Sequence, residues 1–363
     1  MVEVEDLRYI AAPMVNQSDF PFRQLTRRYG ATLAYTQMLA PERLINDQDY
    51  LETHLRDLWE KHVQEEARSH MHASHRVCAQ TTRNAPPVVV QLCGNDPETI
   101  VRAARTVQQH CDGIDLNLGC PQEHAREGHY GGYLLGRKDW PLVQSIVPVS
   151  TKIRLCQHAP DTLPLGTLLE ASGTSWVTLH ARHVSARRRR QGVADLQVVK
   201  ELKDSLRIPV ISNGNVRTWN DLQDNRTYTS ADGCMVGETL LGNPCIFANI
   251  VPDPVQISLE YLELCREHQG CATIHDVRAH VRRFVEHQCS RKPWYAKFRV
   301  AINQTESIED IESLLLTKVN RWRGKARRIK STNDNSSEDT EQKEHLDPKG
   351  RLDDELTGLS LLG

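Results

Sequence analysis

Residues able to do chemistry recur just after short apolar runs in the first 240 residues. Pro13, Met14 and Val15 follow RYIAA, Gln91 sits in VVVQLCG, Asn117 precedes the turn Gly119-Cys120-Pro121, and Lys152 lies in STKIRL. His180 closes WVTLH, Asn213-Gly214-Asn215 closes PVIS, and Gly237-Glu238 follows GCMV. Each alone is ambiguous, since a lone strand Lys can be an edge residue and a lone His a satisfied core residue. Together they read as one site assembled from strand ends. Glycines at 214 and 237 let backbone N–H groups converge on an anion, which suits a phosphorylated cofactor with His180 adding a hydrogen bond. The plainer alternative is that these glycines only make tight turns. Lys152 and Gln91 would face the head group of such a cofactor, where a fixed cation stabilises the anionic reduced ring of a flavin.

Cys120 is the best placed of the ten cysteines for chemistry, because it sits on a Gly-Cys-Pro turn just past an apolar run. The others fall mostly in apolar or helical contexts, where a thiol behaves as a small hydrophobe. A thiol at 120 can act as nucleophile or as general acid. With no histidine placed locally as its base, proton donation is favoured over thiolate attack. The glycine-rich stretch 128–136 (GHYGGYLLG) that follows is expected to close over a substrate.

The elements that must position these groups are eight apolar runs, at 8–14, 31–39, 87–94, 113–121, 150–155, 176–182, 209–215 and 233–241. Most are followed by a helical stretch long enough for a parallel crossover. Eight βα units in about 240 residues predict a closed (β/α)8 TIM barrel, an α/β fold, over residues 1–254. No GxGxxG follows the first run, which argues against a Rossmann sheet. Residues 255–330 carry helical periodicity and 15 basic against 9 acidic residues, a small C-terminal helical domain with a basic face. Its last stretch, Lys318–Lys330, has seven basic residues and no acidic ones. Residues 331–363 reverse the balance, 3 against 9, and read as an acidic, disordered tail. An insertion at 66–86 with His70, His72 and His75, and the run Arg187–Arg190, read as solvated loops. With 39% hydrophobic and 25% charged residues the 363-residue chain has the composition of a globular protein. It has no run of the roughly 18–20 apolar residues that a membrane span needs. Its start lacks the pattern of a signal peptide, and no CxxC pair suggests a zinc ribbon. Reduced thiols in the cytoplasm or nucleus are expected.

At this point the residues resemble the tRNA-dihydrouridine synthases, FMN-dependent reductases of uridine in tRNA. The likeness rests on AAPMVNQSDFPFRQL, YTQM, VVVQLCGNDPE, IDLNLGCPQEHAREGHYGGYLL, TKIRL, VTLHARH, PVISNGNV and DGCMVGETLLGNPCIF, in family order. It runs from residue 8 to about 248 and continues through the helical segment to about 325. The resemblance implies FMN at the barrel mouth, reduced by NADPH or NADH, and hydride transfer to C6 of a flipped-out uridine. Cys120 would protonate C5. FMN positions carry over onto Pro13, Met14, Val15, Gln91, Lys152, His180, Asn213, Gly214, Asn215, Gly237 and Glu238. Asn117 and Arg182 would meet the substrate, and Asp115 would be structural; no metal is implied. The GCPQ-to-GHYGGYL run, the VGE ending and LEYLELCREHQGCATIHDVRAHVRRF look like the subgroup acting on D-loop positions 16 and 17. The alternatives are the subgroup acting on 20a and 20b, which usually has Arg where this chain has Glu238, and a non-catalytic tRNA-binding protein. His180-Ala181-Arg182-His183 departs from the family's His-Gly-Arg-Thr. A monomer is expected, with tRNA as partner. Tyr295, Phe298 and Trp322, lying among basic residues, are expected either to contact nucleotides or to fill a core.

Overall fold

In the computed structural model, described over residues 2–58, 87–145, 150–185 and 192–324, the eight expected strands close into a barrel, all parallel and in chain order. They are β1 (Tyr9–Ala11), β2 (Leu33–Leu39), β3 (Val88–Leu92), β4 (Gly113–Leu118), β5 (Ser150–Leu155), β6 (Trp176–His183), β7 (Val210–Asn213) and β8 (Gly233–Val236). Helices return the chain between them. They are α1 (Phe20–Arg28), α2 (Pro41–Asn46), α3 (Gln48–Asp57), α4 (Pro97–Val107), α5 (Glu123–Glu127), α6 (Trp140–Ser145), α7 (Thr162–Ala171), α8 (Leu196–Ser205) and α9 (Trp219–Thr229), with α10 (Glu238–Gly242) after β8. The helix starts are written in the sequence. Asp19, Asp47 and Asp96 accept the N–H groups of Phe22, Tyr50 and Thr99, and Thr218 with Asp221 forms a capping box at α9. The insertion 66–86, the Arg187–Arg190 run, the end of the Lys318–Lys330 run and the acidic tail lie outside the described residues.

Side-chain parity along the strands separates two cores. Val88, Val90 and Leu92 face the surrounding helices, whereas Val89 packs inside the barrel with Ile10, Leu33, Tyr35, Trp176, Ile211 and Met235. Gln91 shares the inward parity of Val89, and the register carries it across the sheet: Gln91 pairs with Asp115, Asp115 with Ser150, and Asn117 with Lys152. Polar side chains thereby stack as a layer above the apolar plug.

The barrel closes where β8 meets β1, with Tyr9 opposite Cys234 and Ala11 opposite Val236. At this seam the chain runs so close that a Cβ on Gly233 would lie 1.6 Å from the Leu7 carbonyl oxygen. No side chain fits there without parting the strands.

The C-terminal helices α11 (Pro254–Glu267), α12 (Ile274–Cys289), α13 (Tyr295–Asn303) and α14 (Ile308–Ser313) pack onto the same seam. A wide helical turn, Leu314–Val319, and the short Asn320–Trp322 end the described chain. Tyr261, Phe284 and Phe298 share one core with Ala11, Ala34, Cys234 and Val236 of the barrel. Tyr295 and Phe298 are buried, 8% and 0% exposed, so they fill this core instead of meeting nucleotides. Trp322 stacks on Trp294 at 6.2 Å. The polar clasp is Asp19, whose carboxylate accepts from His280 Nε2 at 2.7 Å, Tyr261 Oη at 3.1 Å and the Phe22 N–H at 3.0 Å. Burial alone would raise this carboxyl; the His280 ring and the donated hydrogen bonds hold it below the ordinary carboxylate range. Among the described residues no helix is long and apolar enough to cross a membrane.

Gly233→Ala is expected to part the seam and lower the thermal midpoint by roughly 5–10 °C, reflecting an overpacking cost of about 2–3 kcal/mol. Differential scanning calorimetry checks this, and an unchanged midpoint would show that the seam can relax.

Candidate active site

The residues expected to bind cofactor or substrate, with Cys120, converge on one cleft of about 280 Å³ at the C-terminal ends of the strands. Pro13, Met14 and Val15 come from the loop after β1, Gln91 from β3, and Asn117 and Cys120 from β4 and its turn. Lys152 stands on β5, His180 and Arg182 on β6, Asn213, Gly214 and Asn215 at the end of β7, and Gly237 and Glu238 after β8. Arg154 and Met38 line the same cleft and escaped the sequence reading. The signal for Arg154 was present: in STKIRL it lies two residues beyond Lys152, so a strand sets both on the inward face.

The loops are fastened by their own side chains. Asn213 Nδ2 donates to the Met235 carbonyl at 2.7 Å, and Asn215 exchanges two 2.8 Å hydrogen bonds with the backbone of Ala194. Gly214, with φ +133°, has no room for a side chain, since a Cβ would lie 2.6 Å from that of Ala194. Asn225 Nδ2 reaches the Gly214 carbonyl at 3.1 Å. These asparagine amides therefore shape the wall, leaving backbone, not side chain, as the surface they offer a ligand.

Around the Cys120 turn, Asn117 Oδ1 accepts the N–H groups of Gly119 at 3.0 Å and Cys120 at 2.8 Å. Part of the glycine-rich stretch after it packs against the Cys120 turn. Gly131, with φ +64°, comes so close that a Cβ would lie 2.9 Å from that of Cys120, and the Gly132 N–H donates to the Cys120 carbonyl at 3.1 Å. Tyr133 Oη ties the same stretch to the Pro121 carbonyl at 3.1 Å. These two glycines serve close approach to Cys120 and its neighbours.

Three cations and a histidine set the electrostatics. Burial, then the nearby Arg154 guanidinium, brings the Lys152 ammonium down to about 8, with Asp115 pulling the other way. Burial and the charges of Lys152, Arg154 and Arg182 push the His180 ring well below the ordinary imidazole range, so it is neutral at pH 7. Neither the Lys152 ammonium nor the His180 ring has a hydrogen-bond partner among the described residues, although both line the cleft. Arg182 reaches Asn215 Oδ1 at 3.4 Å, and Arg154 donates to the His183 carbonyl at 3.0 Å. Burial pushes the Cys120 thiol up; the Gln122 backbone N–H and the cations of Arg154 and Lys152 offset it only in part. Cys120 is thus a protonated thiol at neutral pH, half-exposed, at the rim of a cationic cleft. Such a group gives a proton more readily than it attacks as a nucleophile.

The family model described as dihydrouridine synthase (Dus) matches residues 10–322. The chain is 34% identical over 289 residues to a tRNA-dihydrouridine(16/17) synthase [NAD(P)(+)]-like protein of Mus musculus, covering 77% of this chain and 55% of that one. It is 33% identical to the tRNA-dihydrouridine(16/17) synthase [NAD(P)(+)] of Saccharomyces cerevisiae, with 72% and 60% covered. A tRNA-dihydrouridine(20a/20b) synthase [NAD(P)+]-like protein of Homo sapiens is 30% identical, with 71% and 76% covered. The chain thus spans 55% to 60% of the length of these two 16/17 relatives.

A thiol raised above its ordinary range alkylates slowly at pH 7, and its rate keeps rising with pH beyond about 9. Iodoacetamide labelling of Cys120, resolved by peptide mass mapping across pH 6–10.5, is expected to show this; a rate that levels off near neutrality would contradict a protonated thiol.

Proposed function

Because the chain belongs to the dihydrouridine synthase family, we propose that it reduces the C5=C6 bond of uridine in the D-loop of tRNA, at positions 16 and 17, using FMN and NADPH or NADH. The observation that carries the reading is Cys120, a protonated thiol on the rim of a cleft lined by Lys152, Arg154, Arg182 and neutral His180. The residues present suit FMN: unpartnered donors at Lys152 and His180, amide groups at Gln91 and Asn117, and glycine-built walls at Gly214 and Gly237. Pro13, Met14, Val15, Gln91, Lys152, His180, Asn213, Gly214, Asn215, Gly237 and the backbone at Glu238 would hold it. When bound, FMN supplies a hydride to C6 of the uracil, having taken it from the nicotinamide.

The chain's own residues do the rest. The electron pair left at C5 takes the proton of Cys120 Sγ, so the pyrimidine gains one hydride and one proton and the thiol becomes a thiolate. That thiolate forms beside Arg154 and Lys152, whose charges stabilise it after burial has kept the proton in place before. Arg182 and the amide of Asn117 supply donors for the uracil carbonyl edge. A stacked base cannot enter such a cleft, so the uridine must leave its stack.

The tRNA body is held elsewhere. Arg291, Lys292, Lys297, Arg299, Lys318 and Arg321 are exposed on the helical region, whereas Arg266, Arg278 and Arg323 are engaged with Glu312, the Asn303 carbonyl and Asp253. The exposed set forms the backbone-contacting face of this reading. Position 16/17 is favoured over 20a/20b by the identity of 33–34% against 30%. The same reading takes the protein as a monomer acting in the cytoplasm or nucleus.

Incubating the FMN-loaded protein with NADPH and unmodified tRNA, then mapping dihydrouridine, is expected to show product at 16 and 17. Product at 20a and 20b alone would move the chain to that subgroup, and none at any position would favour a binding protein. Cys120→Ala is expected to slow formation by about 10²–10⁴-fold while NADPH still bleaches the flavin. Full activity in that variant would remove Cys120 as the proton donor. Lys297→Glu with Arg299→Glu should weaken tRNA binding and lower the slope of log affinity against log salt by about 1–2, read by filter binding.

A further inference from the structure

We propose that Asp115 is a positioning residue for Cys120: its carboxylate sets the direction of a hydrogen-bond relay through Gln91 and Asn117 that holds the Gly119–Cys120 turn. Ser150 Oγ donates to Asp115 Oδ1 at 2.7 Å, and Gln91 Nε2 donates to Asp115 Oδ2 at 2.8 Å. Asn117 Nδ2 then donates to Gln91 Oε1 at 2.8 Å, and Asn117 Oδ1 accepts the two turn N–H groups. The first two steps join register partners, Ser150 of β5 with Asp115 of β4 and Asp115 with Gln91 of β3; the third runs diagonally from Gln91 back to Asn117 of β4.

The direction follows from valence. A carboxylate only accepts, so it compels Gln91 to present its N–H₂ downward and its carbonyl toward Asn117. Asn117 must then turn its own N–H₂ to Gln91, which leaves its carbonyl for the turn. Were Asn117 reversed, its N–H₂ would oppose the N–H groups of Gly119 and Cys120, donor against donor. Asp115, Gln91 and Asn117 are 0%, 1% and 9% exposed, so the relay is largely shut off from water and unpaired donors in it are costly. Burial brings the Asp115 carboxyl up to about 6, opposed by the Gln91 and Ser150 hydrogen bonds and by Lys152, so at pH 7 it is chiefly the acceptor that the relay needs. Structural support of a strand needs no such ordering of donors and acceptors.

The relay's importance for turnover rests on Cys120 being the proton donor, but the relay itself can be tested without turnover. Asn117→Asp keeps the acceptor for the turn and abolishes the donor to Gln91. Gln91 can answer only by reversing, which sets its Oε1 against the Asp115 carboxylate. Adding Asp115→Asn supplies an N–H₂ to the reversed Gln91 while its carbonyl still accepts from Ser150. The probe is iodoacetamide alkylation of Cys120 in FMN-free protein, mapped by mass spectrometry. Asn117→Asp is expected to change the rate about fivefold or more, and Asp115→Asn in that background to bring it back to within about threefold of the parent. Asp115→Asn alone should shift it less than about threefold, because the Ser150 hydroxyl can rotate to accept. The carboxylate introduced at 117 is present in both variants, so its charge cannot produce the rescue. Additive effects across the cycle would overturn the proposal. If Asn117→Asp fails to fold, Asp115→Leu replaces it: an unchanged alkylation rate in a folded variant would equally overturn the relay. Failure of the dihydrouridine assay with the rescue intact would instead count against the reaction.

Discussion

The closure of β8 onto β1 is the constraint from which the site follows. Three-residue β1 and four-residue β8 have few backbone hydrogen bonds with which to hold a barrel shut. They manage because Gly233 lets the chain before β1 approach to a distance no side chain allows. The same approach sets Ala12 N–H on the Val236 carbonyl at 3.0 Å and brings Gly237 against Ala12 and Met14. One wall of the cleft is therefore the continuation of the seam. On the outer side, α11 to α13 cover it, sharing a core with Ala11, Cys234 and Val236. A barrel open by one register at this point would lose the cleft wall and the helical docking surface together.

Inside the closed barrel, burial and charge work against each other to give each group a different protonation state. Lys152 and Arg154 share the inward face of β5 and burial lowers both; Arg154 lowers Lys152 further and Arg182 lowers Arg154, while Asp115 two strand positions below moderates Lys152. Burial, with their combined field and that of Arg182, leaves His180 neutral, able to donate and accept at once. The same field would favour a thiolate at Cys120, but desolvation wins, so the proton stays on sulfur until something takes it. A more exposed Cys120 would ionise too readily beside two cations, and a fully buried one could not reach a substrate.

Much of this was legible in the sequence because both carriers of information are local. Strand runs and their inward parity are read off residue types, and the polar residue after each run marks the barrel mouth. Arg154 is legible only through its i, i+2 relation to Lys152, which a strand converts into a shared face. The close approach of Gly131 to Cys120 is hidden for a different reason: glycine signals freedom in a chain but also permits close packing, and only the Cys120 neighbour reveals the second use. Tyr295 and Phe298 could not be assigned to core or surface without knowing that α13 packs inward. The direction of the Asp115–Gln91–Asn117 relay is invisible in sequence, since it depends on which strands adjoin.

On the proposed reading, the choice among D-loop uridines must lie outside the cleft. A uracil ring drawn from position 16, 17, 20a or 20b presents the same atoms to Cys120, Lys152 and Arg182, so contacts to the ring cannot rank positions. What differs is the distance and direction from the flipped base to the rest of the tRNA, and that is measured by the exposed cations of α13 and the turn after α14. Their placement is fixed relative to the barrel by buried contacts. Asp19 at the head of α1 joins His280 of α12 and Tyr261 of α11, and Tyr29 and Arg28 reach Glu260 at 2.7 and 3.1 Å. Directional hydrogen bonds at a helix start resist sliding in a way that apolar contacts do not. The clasp around Asp19 thus does for the macromolecular substrate what the relay from Asp115 does for the thiol. Each converts a buried carboxylate into a fixed distance.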